Sequence, residues 1–131
     1  MALVYAGIRV TDLERSFAFY TTLLGLKLAK RGSMTHGGLW VQLEDPETHQ
    51  KIELNWYPPG SPYATPFSVG EGLDHLGFKV QDARVEFARL VAAGATVAIE
   101  PWKEGPGEYV GYVKDPDGNW IEVFSYDPTA V

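Results

Sequence analysis

Three side chains of this 131-residue chain have the chemistry to hold one divalent metal ion: Glu53, His75 and Glu122. Carboxylate and imidazole are the usual oxygen and nitrogen donors for such ions. Each lies in a short apolar run with strand-like alternation: Ile52-Glu53-Leu54, His75-Leu76-Gly77-Phe78 and Ile121-Glu122-Val123. Successive strand side chains point to opposite faces. If Ile52, Leu54, Ile121 and Val123 turn to a core, the open face carries Lys51, Glu53 and Asn55, and likewise Trp120, Glu122 and Phe124. Leu76, Phe78 and Val80 inward leave His75, Gly77 and Lys79 outward, and Ala6, Ile8 and Val10 inward leave Tyr5, Gly7 and Arg9 outward. Taken singly, a strand His is more often a hydrogen-bonded structural residue, and a strand Glu a solvated one. Their equivalent positions in a repeat favour a shared site.

That repeat is explicit. Tyr5-Ala-Gly-Ile-Arg-Val-Thr-Asp12 aligns with His75-Leu-Gly-Phe-Lys-Val-Gln-Asp82. Tyr5 and His75, Gly25 and Gly94, and Glu53 and Glu122 pair at offsets of 70, 69 and 69 residues (75 − 5, 94 − 25, 122 − 53). Asp45-Pro46 and Asp115-Pro116 precede the last strand of each copy. Landmarks in one order at one offset signal duplicated supersecondary units. The expected fold is α+β: two tandem β-α-β-β-β units forming a curved mixed sheet around a cleft. Unit one covers about 1–57, a linker 58–70, and unit two about 71–131 of a single domain.

The positioning elements are readable. Residues 3–10 form the first strand by their period of two. Thr11 and Glu14 have capping-box spacing, and the helix they open runs to about Leu24 with Phe17, Tyr20 and Leu24 on one stripe. Gly25 suits the left-handed position beyond it. In the second copy Asp82 caps, Phe87, Leu90 and Val91 form the stripe, and Gly94 stops it. Asp117-Gly118 signals a tight turn before the last strand. The proline-rich stretch 57–66 reads as a rim loop.

Two further side chains have two readings each. His36, in Thr-His-Gly-Gly, is a surface loop residue or a polar group at the cleft mouth. Arg9 is a strand cation paired with an acid or a cleft cation for an anionic substrate. His49 reads as a turn residue. Trp40, Trp56, Trp102 and Trp120 read one by one as core and rim packing.

Bulk properties exclude several classes. A formal charge of −6 gives no basic footprint for nucleic acid. No apolar run approaches the ~20 residues of a membrane span, and the N-terminus lacks the pattern of a secretory signal. With no cysteine there are no disulfides, thiolate ligands or thiol nucleophiles. The expectation is a cytoplasmic protein acting on a small molecule.

These residues resemble the vicinal oxygen chelate superfamily, which includes glyoxalase I, extradiol dioxygenases and the fosfomycin- and bleomycin-resistance proteins. The carriers are Ile8-Arg-Val-Thr-Asp-Leu-Glu-Arg-Ser16 with Phe19-Tyr20 and Leu24-Gly25-Leu26, then Ile52-Glu53-Leu54, Asp74-His75-Leu76-Gly77-Phe78 and Asp115-Pro-Asp-Gly-Asn-Trp-Ile-Glu122. They span nearly the whole chain. Within the superfamily the chain is most similar to the glyoxalase I (lactoylglutathione lyase) family. That resemblance implies one divalent ion (Ni, Zn, Mn, Co or Fe) held by Glu53, His75 and Glu122. It implies that Glu122 shuttles the proton in a hemithioacetal isomerisation. The family's fourth ligand, usually His or Gln, is replaced by Tyr5. A phenol, with an ordinary pKa near ~10, is a poor ligand at neutral pH, so Tyr5 is expected over the site without ligating. Arg9 falls where the family has an arginine contacting glutathione, and Asn55 with Trp56 is similar to its Asn-Trp pair. Tyr5, Arg9, Asn55 and His36 are the expected substrate-side residues, the substrate a thiol adduct or related vicinal-oxygen compound, and a homodimer the expected assembly. The alternative is a metal-free, bleomycin-resistance-type protein that sequesters a small molecule.

Overall fold

The computed structural model describes residues 1–130. The first unit contains β1 (Ala6–Arg9), α1 (Leu13–Ala18) prolonged by a π-helical turn (Phe19–Leu23), β2 (Lys27–Ser33), β3 (Leu39–Glu44) and β4 (Lys51–Trp56). The second contains β5 (His75–Lys79), α2 (Ala83–Ala92), β6 (Thr96–Gly105), β7 (Glu108–Lys114) and β8 (Trp120–Tyr126). This is the expected α+β arrangement of two tandem β-α-β-β-β units. The compact units divide after Phe67. No described helix is long and apolar enough to cross a membrane.

Each unit builds one four-stranded mixed sheet, β1-β4-β3-β2 or β5-β8-β7-β6. The first and last strands of a unit are parallel neighbours, and the other pairs are antiparallel. A parallel pair needs a crossover rather than a hairpin, and the helix supplies part of it. Apolar side chains at alternate positions fill the space beside the helix. Val10, Val41, Leu43 and Leu54 are fully buried in the first unit, and Leu90, Val113, Ile121 and Val123 in the second.

The helix starts differ in detail from the sequence pattern. Asp12, not Thr11, caps α1: it has extended dihedrals and its carboxylate accepts from the Arg15 N–H at 3.0 Å. Glu14 does not close a capping box but bonds Arg31 at 3.0 Å. A carboxylate at the N-cap satisfies an orphan N–H and favours the positive end of the helix. Asp82 caps α2 as expected, accepting from the N–H groups of Arg84 and Val85.

The end of the first helix also differs. Its last turn widens to π-helix over Phe19–Leu23. There the Thr21 hydroxyl donates to the Phe17 carbonyl at 2.6 Å, a side-chain bond that competes with the regular ladder. The buried stripe is Leu13, Ser16, Phe19 and Tyr20, while Phe17 is half-buried under the Arg31 guanidinium, 5.7 Å from its ring centroid. Gly25 takes φ 79°, and the Leu26 N–H reaches back to the Tyr20 carbonyl at 3.0 Å, closing the helix end.

β1 is shorter than the expected strand, since residues 3–5 lie outside it. Ala6 is exposed rather than buried, so the inward set in this strand is Ile8 with Val10 just beyond it. The two turns before the last strands are alike. The Asp115 carboxylate accepts from the N–H groups of Asp117 and Asn119, and that of Asp45 from Glu47 and Thr48. His49 sits in the second of these turns at φ 64°.

These turn and cap carboxylates set an acid limit on stability. The Thr48 N–H lowers the pKa of Asp45, the Arg84 side chain that of Asp82, and the Thr129 side chain that of Asp127. A depressed folded-state pKa contributes stability that is fully present above the unfolded value of about 4 and is lost as pH falls through the folded value. The urea midpoint should therefore hold from neutrality to about pH 5 and then fall. Removing two of these carboxylates, in Asp45→Asn with Asp82→Asn, should flatten that decline. An equally steep acid decline in the double variant would assign it to other groups.

Candidate functional site

In the first unit, the parallel β1–β4 register sets Gly7 opposite Glu53 and Arg9 opposite Asn55. Gln42 of β3 is opposite Glu53 from the other side. The Gln42 amide donates to Glu53 Oε2 at 2.9 Å, and the Asn55 amide donates to Oε1 at 2.8 Å. Glu53 is only 9% exposed. A carboxylate so enclosed needs donors to replace water, and here each oxygen has one. Gly7 makes this possible: a Cβ there would lie 2.8 Å from Asn55 Oδ1.

Arg9 is held by backbone carbonyls and ring faces rather than by the acid that one sequence reading gave it. Its guanidinium donates to the carbonyls of Tyr63 at 2.8 Å and Thr65 at 3.0 Å, and lies 4.7 Å from the centroid of the Tyr57 ring and 5.9 Å from that of Phe67. No described carboxylate pairs with it. His36, at the tip between β2 and β3, stacks on Tyr63 at 4.2 Å and 23°, and Tyr63 stacks on Tyr57 at 5.8 Å. Its Nδ1 is buried without a hydrogen-bond partner. Arg9 and His36 thus belong to one cluster that ties the segment after β4 back onto the first sheet. Tyr5 precedes β1, 41% exposed, so strand alternation does not fix its direction.

In the second unit, the parallel β5–β8 register sets Gly77 opposite Glu122 and His75 opposite Trp120. His75 Nε2 lies 2.8 Å from Glu122 Oε2, and Nδ1 lies 2.6 Å from Asp74 Oδ2. Tyr112 of β7, opposite Glu122, donates its hydroxyl to the same Oε2 at 3.0 Å. Burial, and then the bond to this carboxylate, push the Tyr112 phenol above its ordinary pKa, so it stays a donor. Among the described residues Glu122 Oε1 accepts no hydrogen bond. The Tyr112 ring meets the edge of His75 and lies beside Trp102, at 6.0 Å and 20°, and Trp120, at 5.4 Å and 51°.

The two glutamates therefore occupy equivalent positions with different partners. Gln42 and Tyr112 escaped the sequence reading, although their offset of 70 residues (112 − 42) matches that of the repeat. Only the antiparallel register shows that each opposes its glutamate. Asp74 was visible as a neighbour of His75, without a role.

The donor chemistry fits a divalent cation. A carboxylate on one ring nitrogen, as Asp74 is on Nδ1 of His75, is the usual outer-shell partner of a metal-binding histidine, and Nε2, which here meets Glu122, is the nitrogen that would turn to the ion. Among the described residues, no three His, Cys, Asp or Glu side chains form a ready metal cluster.

Comparison with known proteins adds the family. Residues 2–123 match the Glyoxalase/Bleomycin resistance protein/Dioxygenase superfamily, and the chain belongs to it. Lactoylglutathione lyase of Neisseria meningitidis is 30% identical over 129 residues, covering 93% of this chain and 88% of that protein. Lactoylglutathione lyase GLX1 of Arabidopsis thaliana is 29% identical over 125 residues, covering 92% of this chain and 43% of that protein. The chain thus spans less than half the length of the plant relative. The trypanothione-dependent glyoxalase I of Leishmania major superposes with a TM-score of 0.77 at 26% identity, covering 95% of this chain and 86% of that one.

The contact chain from Gly7 through Asn55 to Glu53 predicts a coupling. Gly7→Ala should displace the Asn55 amide and weaken one hydrogen bond to a charged group, at a cost of about 1.5 kcal/mol. Asn55→Ala should cost a similar amount. In urea unfolding, the double variant should cost clearly less than the two singles together. Strict additivity would mean that Gly7 acts through something other than Asn55.

Proposed function

We propose that this member of the superfamily is a lyase of the lactoylglutathione-lyase type. It would convert the hemithioacetal of a 2-oxoaldehyde and a thiol into the thioester of a 2-hydroxy acid. The reaction is an isomerisation. A base removes the proton on the carbon bearing sulfur, the electron pair shifts to give an enediolate, and a proton returns to the neighbouring carbon. No oxidant or reductant is consumed. The names of the relatives support the reaction class, and the difference between the two glutamates supports the residue assignment.

Glu122 is the proposed base. A general base needs a lone pair free to meet the substrate proton and a side chain held in place. His75 and Tyr112 both bond Oε2 of Glu122, which fixes the carboxylate and leaves Oε1 uncommitted. Glu53 has both oxygens engaged by amides and is suited to a static role. Glu53, His75 and Glu122 would hold one divalent ion (Ni, Zn, Mn, Co or Fe), which would act there as a Lewis acid toward the substrate's two adjacent oxygens.

Tyr5, Asn55, His36 and Arg9 are the proposed substrate-side groups. Tyr5 offers a phenol donor rather than a ligand. Arg9 can take a carboxylate of the thiol in forked geometry only if that carboxylate replaces the carbonyls of Tyr63 and Thr65, so anion binding and the 58–67 segment are linked. A homodimer is part of this reading, and sedimentation velocity tests it.

Glu122→Gln keeps the shape and removes the base. It should lower kcat on the glutathione–methylglyoxal hemithioacetal by roughly 10²- to 10⁴-fold. Full turnover in that variant would remove Glu122 from the role. A wild-type protein inactive with every divalent ion in the panel would leave the superfamily's metal-free binding function instead.

The Tyr5 assignment has its own test. Tyr5→Phe should leave metal affinity nearly unchanged by calorimetry, and Tyr5→His should tighten it by adding a donor. A large loss of affinity in Tyr5→Phe would make the phenol a ligand.

A further inference from the structure

Along β8, Glu122 and Phe124 alternate with the buried Ile121, Val123 and Ser125, so Ser125 belongs to the helix-side face and not to that of Glu122. On the helix side the registers align Lys103 of β6, Tyr109 of β7 and Ser125 of β8 in one row. This row lines a cleft of about 230 Å³ between the start of α2 and the segment after β8. The equivalent row of the first unit is Ser33, Leu39 and Trp56. The charges around it change as well. Arg84, Lys103 and Asp127 stand where the first unit has Glu14, Ser33 and Pro58, by the repeat offset (84 − 70, 103 − 70, 127 − 69). The duplicated fold therefore does not require this cleft or its charges.

The walls are held in place by bonds of their own. Ser125 is 5% exposed, and its hydroxyl oxygen accepts from the Ala83 N–H at 2.9 Å. Asp82 takes the next two N–H groups of α2, so the helix end is satisfied within the chain. The Arg84 guanidinium donates to Asp82 at 2.9 Å and lies 4.0 Å from the centroid of the Tyr109 ring. A further wall is the turn after β8. The Asp127 N–H donates to the Gly107 carbonyl at 2.9 Å, and Asp127 Oδ1 accepts from the Thr129 N–H and hydroxyl. Gly107, at φ 71°, is pressed against this turn: a Cβ there would overlap the Asp127 carbonyl oxygen and Ala130 Cβ.

Two charges of each sign line the cleft. Arg84 and Asp82 neutralise each other. Among the described residues Lys103 and Asp127 have no ionic partner, and nothing bonds Asp127 Oδ2. A plain anion entering here would face two carboxylates, and a plain cation would face a lysine and an arginine. A net-neutral ligand with separate positive and negative ends avoids both penalties, since complementarity selects by repulsion as well as attraction. The volume equals that of about eight waters at ~30 Å³ each, which suits a ligand of few heavy atoms.

We infer that this cleft binds a small α-amino acid as its zwitterion, the carboxylate at Lys103 and the ammonium at Asp127. The Tyr109 hydroxyl, beside Lys103 in the row, is a further donor for the carboxylate. The site lies on the helix side of the sheet and does not depend on the reaction proposed at Glu122.

Titration of the ¹⁵N-labelled protein with L-serine, followed by amide NMR, tests this. Saturable shifts should cluster at Lys103, Tyr109, Ser125 and Asp127, with a Kd in the millimolar range. Propionate and ethylamine each carry one of the two charges. Each should bind at least about fivefold more weakly than L-serine, the upper end of what an exposed ion pair contributes. Lys103→Met and Asp127→Asn should each weaken L-serine by a similar factor, while Lys79→Met, outside the cleft, should not. Asp127→Asn keeps an oxygen to accept from Thr129, and the spectrum itself reports whether a variant is folded. The wild-type comparison of the three ligands stands without any variant. No saturable shift up to about 100 mM L-serine overturns the inference. So does propionate binding as tightly as L-serine, which would make the cleft a plain anion site, or unchanged L-serine affinity in folded Lys103→Met and Asp127→Asn.

Discussion

The parallel pairing of the first and last strand in each unit is the constraint from which the site follows. It aligns Gly7 with Glu53 and Gly77 with Glu122. A glycine beside each glutamate leaves open space on that face, and in the first unit Asn55 fills it. The pairing also requires the chain to cross over between the two strands, which commits the residues after the first strand to a helix and fixes which face of the sheet is covered. Ile8 and Leu54 go under the helix in one copy, Ile121 and Val123 in the other, and the positions alternating with them are left facing away. The carboxylates face outward because their neighbours in sequence are needed inside.

A carboxylate placed this way still has to be stabilised, since it is partly withdrawn from water. The two units solve this with different donors on one register. Glu53 takes neutral amides from Gln42 and Asn55, one per oxygen. Glu122 takes a phenol and an imidazole, both on the same oxygen. Its side chain keeps 19% exposure, so its second oxygen can be served by solvent or ligand. The duplicated scaffold therefore supplies two equivalent positions, and the partner residues on the opposing strand divide their roles.

The repeat made the topology legible, because it is carried by residue types with narrow conformational uses. Gly25 and Gly94 both sit at positive φ beyond a helix, and Gly118 at positive φ in its turn. Asp82 caps its helix as its position implied. The errors fell where two local signals competed. Thr11 and Asp12 both suit an N-cap, and the carboxylate took it. Phe17 has the spacing of a core residue, but with the widened turn after it Phe19 is buried beside the expected Tyr20 instead. Contacts distant in sequence were not legible at all. Nothing in the pattern of residues 9 and 57–67 announced that Arg9 would be claimed by two backbone carbonyls and two aromatic rings.

That last contact changes how the charge of Arg9 should be understood. A guanidinium in a chain with a formal charge of −6 would ordinarily find a carboxylate, yet it is held by carbonyl dipoles and ring faces. Such partners satisfy its donors without neutralising its charge. In the proposed reading, an incoming anion would meet that charge at the cost of releasing the segment bearing Tyr63 and Thr65. Because His36 stacks on Tyr63 and Tyr63 on Tyr57, that release would loosen the hairpin tip as well. In the proposed reading, the polar end of a ligand and the order of two loops would be coupled through one side chain of the first unit. In the second unit, the rings beside Glu122 are carried by β6, β7 and β8 rather than by loops.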